Sequence, residues 1–321
     1  MHVVITGGAG FLGSKLATAL LARGTLTDAK GRARAVERVT LVDVGPARLA
    51  DPCIRSLTGD IADPALIERA LADGADSIFH LAAVVSGEAE SNFDLGWGVN
   101  VDAMRALLER CRTLATPPRF VYTSSCAVFG GPLPDPVLDT QALWPQSSYG
   151  NQKAVGEFLV NDWTRKGYID GRSLRLPTIS VRPGKPNKAA SSFASGILRE
   201  PLNGVDAVCP VARETRMWLS SPRRAVDNLI VAHEAPASAF AHTRSINVPG
   251  ISTSVDAMLA SLRRVAGDAV ADRVSFREDA AIDRIVRTWP VNFDTAFARS
   301  LGMGADADFD AIIRQYIDDE L

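Results

Sequence analysis

Short apolar runs alternate with segments of helical periodicity through the first half of the chain. The apolar runs cover residues 2–6, 39–43, 53–61, 77–85 and 119–125. Their length and composition predict strands that are buried on both faces of a parallel sheet. Between them, apolar residues recur at helical spacing, as at Leu12, Leu16 and Leu20. This alternation predicts an α/β fold built on a doubly wound parallel sheet.

The second half of the chain is less regular. One further strand is predicted over residues 172–182, and the polar composition of residues 183–203 predicts a binding loop or lid. Two late amphipathic helices are predicted from apolar stripes, one at Val255, Met258, Leu259 and Leu262, the other at Phe309, Ile312, Ile313, Tyr316 and Ile317. These helices indicate a smaller lobe that closes over the carboxyl ends of the strands.

Composition narrows the class of protein. The chain has 321 residues, of which 46% are hydrophobic and 22% charged, and its net charge is −2. With no long basic run, nucleic acid is not expected as the main partner. No apolar run approaches ~18 residues, so no membrane span is expected. Neither the histidines nor the cysteines (Cys53, Cys111, Cys126 and Cys209) have metal-ligand spacing. We therefore expect no metal site, free thiols, and a cytoplasmic location.

A glycine-rich turn follows the first strand directly. Gly7, Gly10 and Gly13 stand three apart, between the strand at residues 2–6 and the helix that begins near Leu12. Such a turn brings backbone N–H groups close to a pyrophosphate at a helix N-terminus. A tight turn without a ligand is the alternative.

An acidic residue ends the next strand. Asp43 is placed to accept hydrogen bonds from adenosine ribose hydroxyls and to repel a 2′-phosphate, which favours NAD over NADP. Arg48 lies near enough to weaken that preference. Residues 25–38 lengthen the spacing from the glycines, and we interpret them as a solvated insertion.

Tyr149 and Lys153 are four residues apart, so on a helix they share one face. A free tyrosine has a pKa of ~10, and a neighbouring ammonium favours the phenolate. The pair could therefore accept a proton from an alcohol that loses hydride. An ordinary surface helix gives the same spacing by chance, so the pair alone does not establish catalysis.

Several motifs occur together in a fixed order. They are the glycine-rich turn, Asp60-Ile61, Leu81-Ala82-Ala83, Ser124-Ser125 and the Tyr149/Lys153 pair. In order and spacing they resemble the extended short-chain dehydrogenase/reductase superfamily, which holds nucleotide-sugar epimerases and dehydratases. The resemblance covers nearly the whole chain. It implies a Rossmann NAD-binding domain over residues 1–175, and a mainly substrate-binding lobe over residues 176–321 with some segments returning to the core sheet. It also implies a homodimer.

The resemblance assigns roles to individual residues. Tyr149 matches the general base, Lys153 the residue that lowers its pKa, and Ser125 the hydroxyl that binds the reacting oxygen; the neighbouring Ser124 is the alternative. The predicted cofactor site comprises Gly7, Gly10, Phe11, Leu12, Asp43, Asp60, Ile61, Leu81, Ala82, Ala83, Asn100, Tyr149, Lys153 and Pro177. Phe129 stands where many relatives have tyrosine.

Residues 145–157, 175–195 and 216–228 resemble the sugar-acid dehydrogenases of this superfamily. That resemblance implies that NAD oxidises the C2 hydroxyl of a four-carbon sugar acid to a 2-keto acid. Such a substrate needs a group that binds its carboxylate, beside Ser125 and Tyr149. The candidates are Arg182, Lys185, Asn187 and Arg216. For each of them a solvated side chain or a structural ion pair is the alternative.

Two other functions remain open at this point. One is nucleotide-sugar epimerisation or dehydration, in which NAD stays bound and is regenerated. The other is a non-catalytic NAD(P)-sensing protein of the same fold, but such proteins commonly lack the tyrosine–lysine pair that is present here.

Overall fold

The computed structural model describes residues 1–186, 189–240 and 243–321. The strands are β1 (His2–Thr6), β2 (Thr25–Thr27), β3 (Ala33–Ala35), β4 (Arg38–Asp43), β5 (Ile54–Thr58), β6 (Ser77–His80), β7 (Arg119–Ser125), β8 (Asp170–Leu176), β9 (Thr178–Ile179), β10 (Ala207–Cys209), β11 (Arg216–Ser220), β12 (Ser245–Asn247), β13 (Ile251–Ser254) and β14 (Val274–Phe276).

The helices are α1 (Phe11–Arg23), α2 (Pro64–Ala70), α3 (Ser86–Ser91), α4 (Phe93–Trp97), α5 (Ala103–Arg112), α6 (Ser148–Arg165), α7 (Phe193–Leu202), α8 (Pro222–Glu234), α9 (Val255–Ala266), α10 (Asp268–Ala271), α11 (Ala280–Val286), α12 (Ala296–Ser300) and α13 (Phe309–Glu320). None of the helices in the described residues is long and apolar enough to cross a membrane.

A seven-stranded sheet forms the centre of the molecule. Its strand order is β12-β8-β7-β6-β1-β4-β5, and every neighbouring pair is parallel. Separate apolar clusters cover its two faces. The predicted doubly wound parallel sheet is therefore confirmed. The chain reverses direction of winding at β1, between β4 and β6, which is where such sheets form a crevice for ligands.

The prediction of a solvated insertion at residues 25–38 was wrong in part. β2 and β3 pair there as an antiparallel hairpin, and Leu26 and Val36 are buried beneath it. The Asp28 carboxylate closes the hairpin by accepting hydrogen bonds from the N–H groups of Lys30 and Arg32. The two buried apolar residues are the signal that the polar composition concealed.

The predicted loop at residues 183–203 was too long, because α7 occupies its second half. Phe193, Ile197 and Leu198 are buried on one face of this helix in a second hydrophobic core. The predicted strand at residues 172–182 is also interrupted. β8 ends before Pro177, which has no N–H to donate to a sheet, and β9 joins β11 in a different sheet.

The second core defines a smaller lobe. It is built around the three-stranded sheet β13-β11-β9 and helices α7, α9 and α13. The two amphipathic helices predicted from the sequence are present as α9 and α13, with their apolar stripes packed in this core. β12 returns to the edge of the large sheet beside β8. A division into residues 1–175 and 176–321 stays a prediction.

Candidate active site

The glycine-rich turn packs against the ends of two strands. Gly7 has a φ of +70°, and its N–H donates to the carbonyl of Val42 at 2.8 Å. A Cβ on Gly13 would lie 2.1 Å from the carbonyl oxygen of Gly7, so only glycine allows α1 to begin this close to the turn. Gly10 is the N-cap of α1 and has no side chain that could accept from the N–H groups of the first turn. The N-terminal N–H groups of α1 are thus suited to bind a phosphate.

Asp43 ends β4 beside this turn. Its Oδ2 accepts hydrogen bonds from the N–H groups of Ala9 at 3.0 Å and Gly10 at 3.1 Å, and Oδ1 accepts one from Gly45. The carboxylate therefore holds the turn in place. Oδ2 already accepts two hydrogen bonds, whereas Oδ1 accepts one and keeps a lone pair for a further donor. Arg48 is exposed and lies outside the cavity described next.

A cavity of about 580 Å³ opens at the carboxyl ends of the large sheet. The predicted residues that line it are Gly7, Gly10, Phe11, Leu12, Asp43, Asp60, Ile61, Leu81, Ala82, Ala83, Ser125, Tyr149, Lys153, Pro177 and Arg182. Residues far apart in the sequence thus share one site. Ser86, Ser191 and Trp289 also line it and were not predicted. Ser191 stands in the segment 175–195 that the resemblance includes, but no role was assigned to it.

The remaining predicted residues lie elsewhere. Asn100 is buried outside the cavity lining. Its side chain accepts a hydrogen bond from the N–H of Val84 and donates to the carbonyl of Val84 and to the side chain of Gln152. It therefore orders the segment after β6. Lys185 and Arg216 are exposed and outside the cavity, and Arg216 donates to the carbonyl and hydroxyl of Ser252. Asn187 lies outside the described residues.

Tyr149 and Lys153 project from the first turns of α6. Ser147 caps this helix by accepting a hydrogen bond from the N–H of Gly150. A Cβ on Gly150 would lie 2.2 Å from the carbonyl oxygen of Ala127, so α6 packs directly on the turn after β7. Lys153 donates from Nζ to the carbonyl of Thr123 at 2.8 Å, and Nζ lies 5.6 Å from the centre of the Tyr149 ring.

Burial dominates the electrostatics of this pair. It lowers the pKa of Lys153 to about 7 and raises the pKa of Tyr149 to about 12. The positive charge of Arg182 and the hydroxyl of Ser125 act in the opposite direction and lower the pKa of Tyr149. The spacing suggested that Lys153 lowers the tyrosine pKa, but the groups that oppose the effect of burial are Arg182 and Ser125.

The two adjacent serines at the end of β7 have different partners. Ser124 Oγ is buried and donates to Glu157 Oε1 at 2.5 Å. Ser125 Oγ accepts a hydrogen bond from the N–H of Ala127 and lies close enough to Tyr149 to affect its pKa. Both serines line the cavity, but the hydroxyl of Ser124 is already bonded to Glu157, so Ser125 is the serine whose hydroxyl acts on the tyrosine.

Arg182 carries positive charge into the cavity. Its Nε donates to the carbonyl of Ile179 at 3.1 Å, and its backbone N–H donates to Ser195. Burial lowers the pKa of the guanidinium, and Tyr149 raises it. Among the described residues, no carboxylate pairs with Arg182. An anionic group in the cavity would therefore find an arginine whose charge is not already neutralised.

Comparisons with known proteins agree with this geometry. Residues 3–220 match the model of the NAD dependent epimerase/dehydratase family. The chain is 55% identical to a D-erythronate dehydrogenase from Cupriavidus necator, with 99% of this chain and 98% of that protein covered. It is 45% identical to a D-erythronate dehydrogenase from Haemophilus influenzae, with 99% of each covered.

A solved structure is also similar over its full length. The nucleoside-diphosphate-sugar epimerase from Agrobacterium tumefaciens superposes with a TM-score of 0.92 at 41% identity, with 100% of this chain and 94% of that one covered. The glycine-rich turn, the Tyr149/Lys153 pair and most of the parallel sheet lie within the matched family region, and β12 lies beyond it. The chain therefore belongs to the NAD-dependent epimerase/dehydratase family of extended short-chain dehydrogenases/reductases.

Proposed function

We propose that this protein is an NAD-dependent dehydrogenase that oxidises the C2 hydroxyl of a four-carbon sugar acid, D-erythronate, to the 2-oxo acid. The names of the two relatives at 55% and 45% identity support this substrate. The observation that carries the proposal is Arg182, a cation without a described acidic partner in the same cavity as Ser125 and Tyr149. A sugar acid carries its carboxylate and its C2 hydroxyl on the same carbon, so one site can bind both groups.

The proposed chemistry assigns a role to each side chain. Arg182 binds the substrate carboxylate, and Ser125 orients the C2 hydroxyl toward Tyr149. Tyr149 takes the hydroxyl proton on its phenolic oxygen. When bound, oxidised NAD supplies the hydride acceptor and a positive charge near the tyrosine. That charge and Arg182 would both oppose the effect of burial on the Tyr149 pKa.

Asp43 supports NAD rather than NADP as the cofactor. Its carboxylate lies on the cavity wall beside the glycine-rich turn, where it already holds the N–H groups of Ala9 and Gly10. A 2′-phosphate beside this carboxylate would be repelled, while a ribose hydroxyl can donate to the lone pair that Oδ1 keeps.

A homodimer and a cytoplasmic location complete the proposal. Phe158 on α6 is 64% exposed, and α6 is one of the helices through which the family resemblance implies a dimer. The four cysteines are free, three of them buried, as suits a reducing compartment.

Two arginine variants test the proposed recognition of the carboxylate. Hydrogen bonds to charged groups contribute about 1.5–3 kcal/mol, so Arg182→Met should raise KM for D-erythronate about 10-fold to 100-fold and leave KM for NAD nearly unchanged. Arg216→Met is the matched control, because Arg216 is exposed and outside the cavity. An unchanged KM for the acid in Arg182→Met, or equal effects of the two variants, would contradict this assignment.

A further inference from the structure

A buried charge network lies at the carboxyl end of the sheet, next to the residues of the proposed chemistry. Glu157 and Arg175 are 3% and 4% exposed, and Arg175 Nη2 donates to Glu157 Oε2 at 2.8 Å. Arg175 Nε donates to both oxygens of Glu157, at 3.0 and 3.2 Å. Neither residue lines the cavity, so neither contacts a ligand there.

Glu157 continues the face of α6 that carries the catalytic pair. Tyr149, Lys153 and Glu157 are spaced by four residues, which places them one above another on the helix. Lys153 donates to the carbonyl of Thr123 at 2.8 Å, and Glu157 accepts from the hydroxyl of Ser124 at 2.5 Å. The helix is thus attached to the two residues that immediately precede Ser125.

Arg175 connects this attachment to the neighbouring strand. Ser124 and Arg175 are register partners on β7 and β8. Arg175 Nη1 also donates to the carbonyl of Asp139 at 2.8 Å and to Asn247 Oδ1 at 3.3 Å. Its guanidinium lies over the ring of Phe129, 4.7 Å from the centre. The network therefore ties α6 to three other parts of the chain at the floor of the site.

We propose that Glu157 is a positioning residue: through Ser124 and Arg175 it sets the separation between the Ser125 hydroxyl and the Tyr149 phenol. Both oxygens must reach the same substrate hydroxyl, one from β7 and the other from α6. The inference rests on the proposed function in that Ser125 and Tyr149 are taken to act on one oxygen.

Stability alone does not account for the network. The desolvation of two buried charges offsets most of their attraction, so apolar residues of similar volume commonly replace such a pair without loss of stability. What an apolar pair cannot supply is a fixed direction of hydrogen bonds to Ser124. A misplacement of about 1 Å near reacting atoms can lower a rate about 100-fold.

Glu157→Gln and Ser124→Ala test the proposal by steady-state kinetics. In Glu157→Gln we expect kcat to fall about 10-fold to 100-fold, with KM for NAD and for the acid within about twofold of wild type. Ser124→Ala should have a similar effect without removing a buried charge. The double variant should be no slower than the slower single variant, since both changes break one connection. Full additivity of the two effects would overturn the inference.

Matched controls separate positioning from general stability. Asp170, at the opposite end of β8, pairs with Arg172 and Arg244 in a comparable network, and Ser77 bonds to His233 in the core. Asp170→Asn should lower the melting temperature as Glu157→Gln does, and Ser77→Ala should lower it as Ser124→Ala does. Both controls should leave kcat within about twofold of wild type. Equal losses of kcat in the controls, or wild-type kcat in folded Ser124→Ala, would overturn the inference.

Wild type is assayed beside the variants, with the acid that it oxidises fastest. Failure of the proposed function would be seen as absent turnover in wild type itself. In that case a crystal structure of Ser124→Ala decides the inference: the proposal requires a changed separation between Ser125 Oγ and the Tyr149 phenolic oxygen, and an unchanged separation rejects it.

Discussion

Lys153 is a buried residue whose charged form is disfavoured by desolvation. The residue is 2% exposed, and burial lowers its pKa to about 7, whereas a free lysine has a pKa of 10.5. The lysine is nevertheless hydrogen-bonded to the Thr123 carbonyl, which needs a donor. The sequence indicated that Lys153 and Tyr149 share a helix face, but the spacing carries no information about how deeply either is buried. Helical periodicity predicts which side chains are neighbours on a helix, but how far those side chains are removed from water depends on the packing of the whole fold.

The depressed pKa of Lys153 has a consequence for stability. Between pH 7 and 10.5 the unfolded chain binds a proton that the folded chain does not, so this residue makes the free energy of unfolding rise with pH. Lys153→Met should therefore reduce that rise between pH 7.5 and 9.5, as measured by urea unfolding. Lys166→Met, at an exposed position after α6, is the control and should keep the wild-type slope. An unchanged slope in Lys153→Met would show that the lysine is charged when folded.

At the scale of elements, the first strand, turn and helix form the most predictable part of the molecule. The order of apolar run, glycines and helical periodicity specifies each piece locally, so the sequence was enough. The hairpin at residues 25–38 and helix α7 were missed because their signals are weak. The hairpin shows only Leu26 and Val36 within a basic segment, and α7 contains a glycine and a proline, which are poor helix formers.

The network of Glu157 and Arg175 was missed for a different reason. The position of Glu157 on the same face of α6 as Tyr149 and Lys153 follows from their four-residue spacing. The contacts of Glu157 with Ser124 and Arg175 depend on the register of β7 and β8, which places these two residues side by side. Register between strands that are far apart in sequence is set by the assembled sheet, so no local pattern could reveal it.

The close approach of α1 to the glycine-rich turn leads to a prediction at the scale of this element. Gly13→Ala places a Cβ against the Gly7 carbonyl, and overpacking of this kind costs about 1–3 kcal/mol. We expect the Kd for NAD, measured by calorimetry, to rise about 10-fold or more. Gly98→Ala is the matched control, because Gly98 has helical backbone angles and open space around it. Tight NAD binding by Gly13→Ala would mean that the turn does not hold the pyrophosphate.

At the scale of the whole molecule, the two cores meet around one cavity. The large sheet contributes the glycine-rich turn, Ser125 and Tyr149, and the segment after β9 contributes Arg182. The segment between β7 and α6 is joined directly to the segment before α12, since Val137 and Phe293 form a parallel bridge. The sequence predicted that a second lobe would close over the strands, but it gave Arg182, Lys185, Asn187 and Arg216 equal standing. Only the fold distinguishes Arg182 from the exposed pair.

The proposed dimer is also tested at this scale. Phe158→Glu places a charge on the exposed face of α6 and should convert a dimer to a monomer, as measured by light scattering at micromolar concentration. Trp144→Glu is the control, because Trp144 is equally exposed, at 65%, but lies on a loop outside these helices. A wild-type monomer, or dissociation by Trp144→Glu alone, would contradict the proposed interface.

The most direct measurement is the absorbance of NADH formed by the purified protein with D-erythronate and NAD. We expect steady formation of NADH, much slower turnover with NADP, and loss of most of kcat in Tyr149→Phe with NAD affinity retained. No NADH from D-erythronate or any other four-carbon sugar acid, together with interconversion of nucleotide sugars, would contradict the proposed dehydrogenase function.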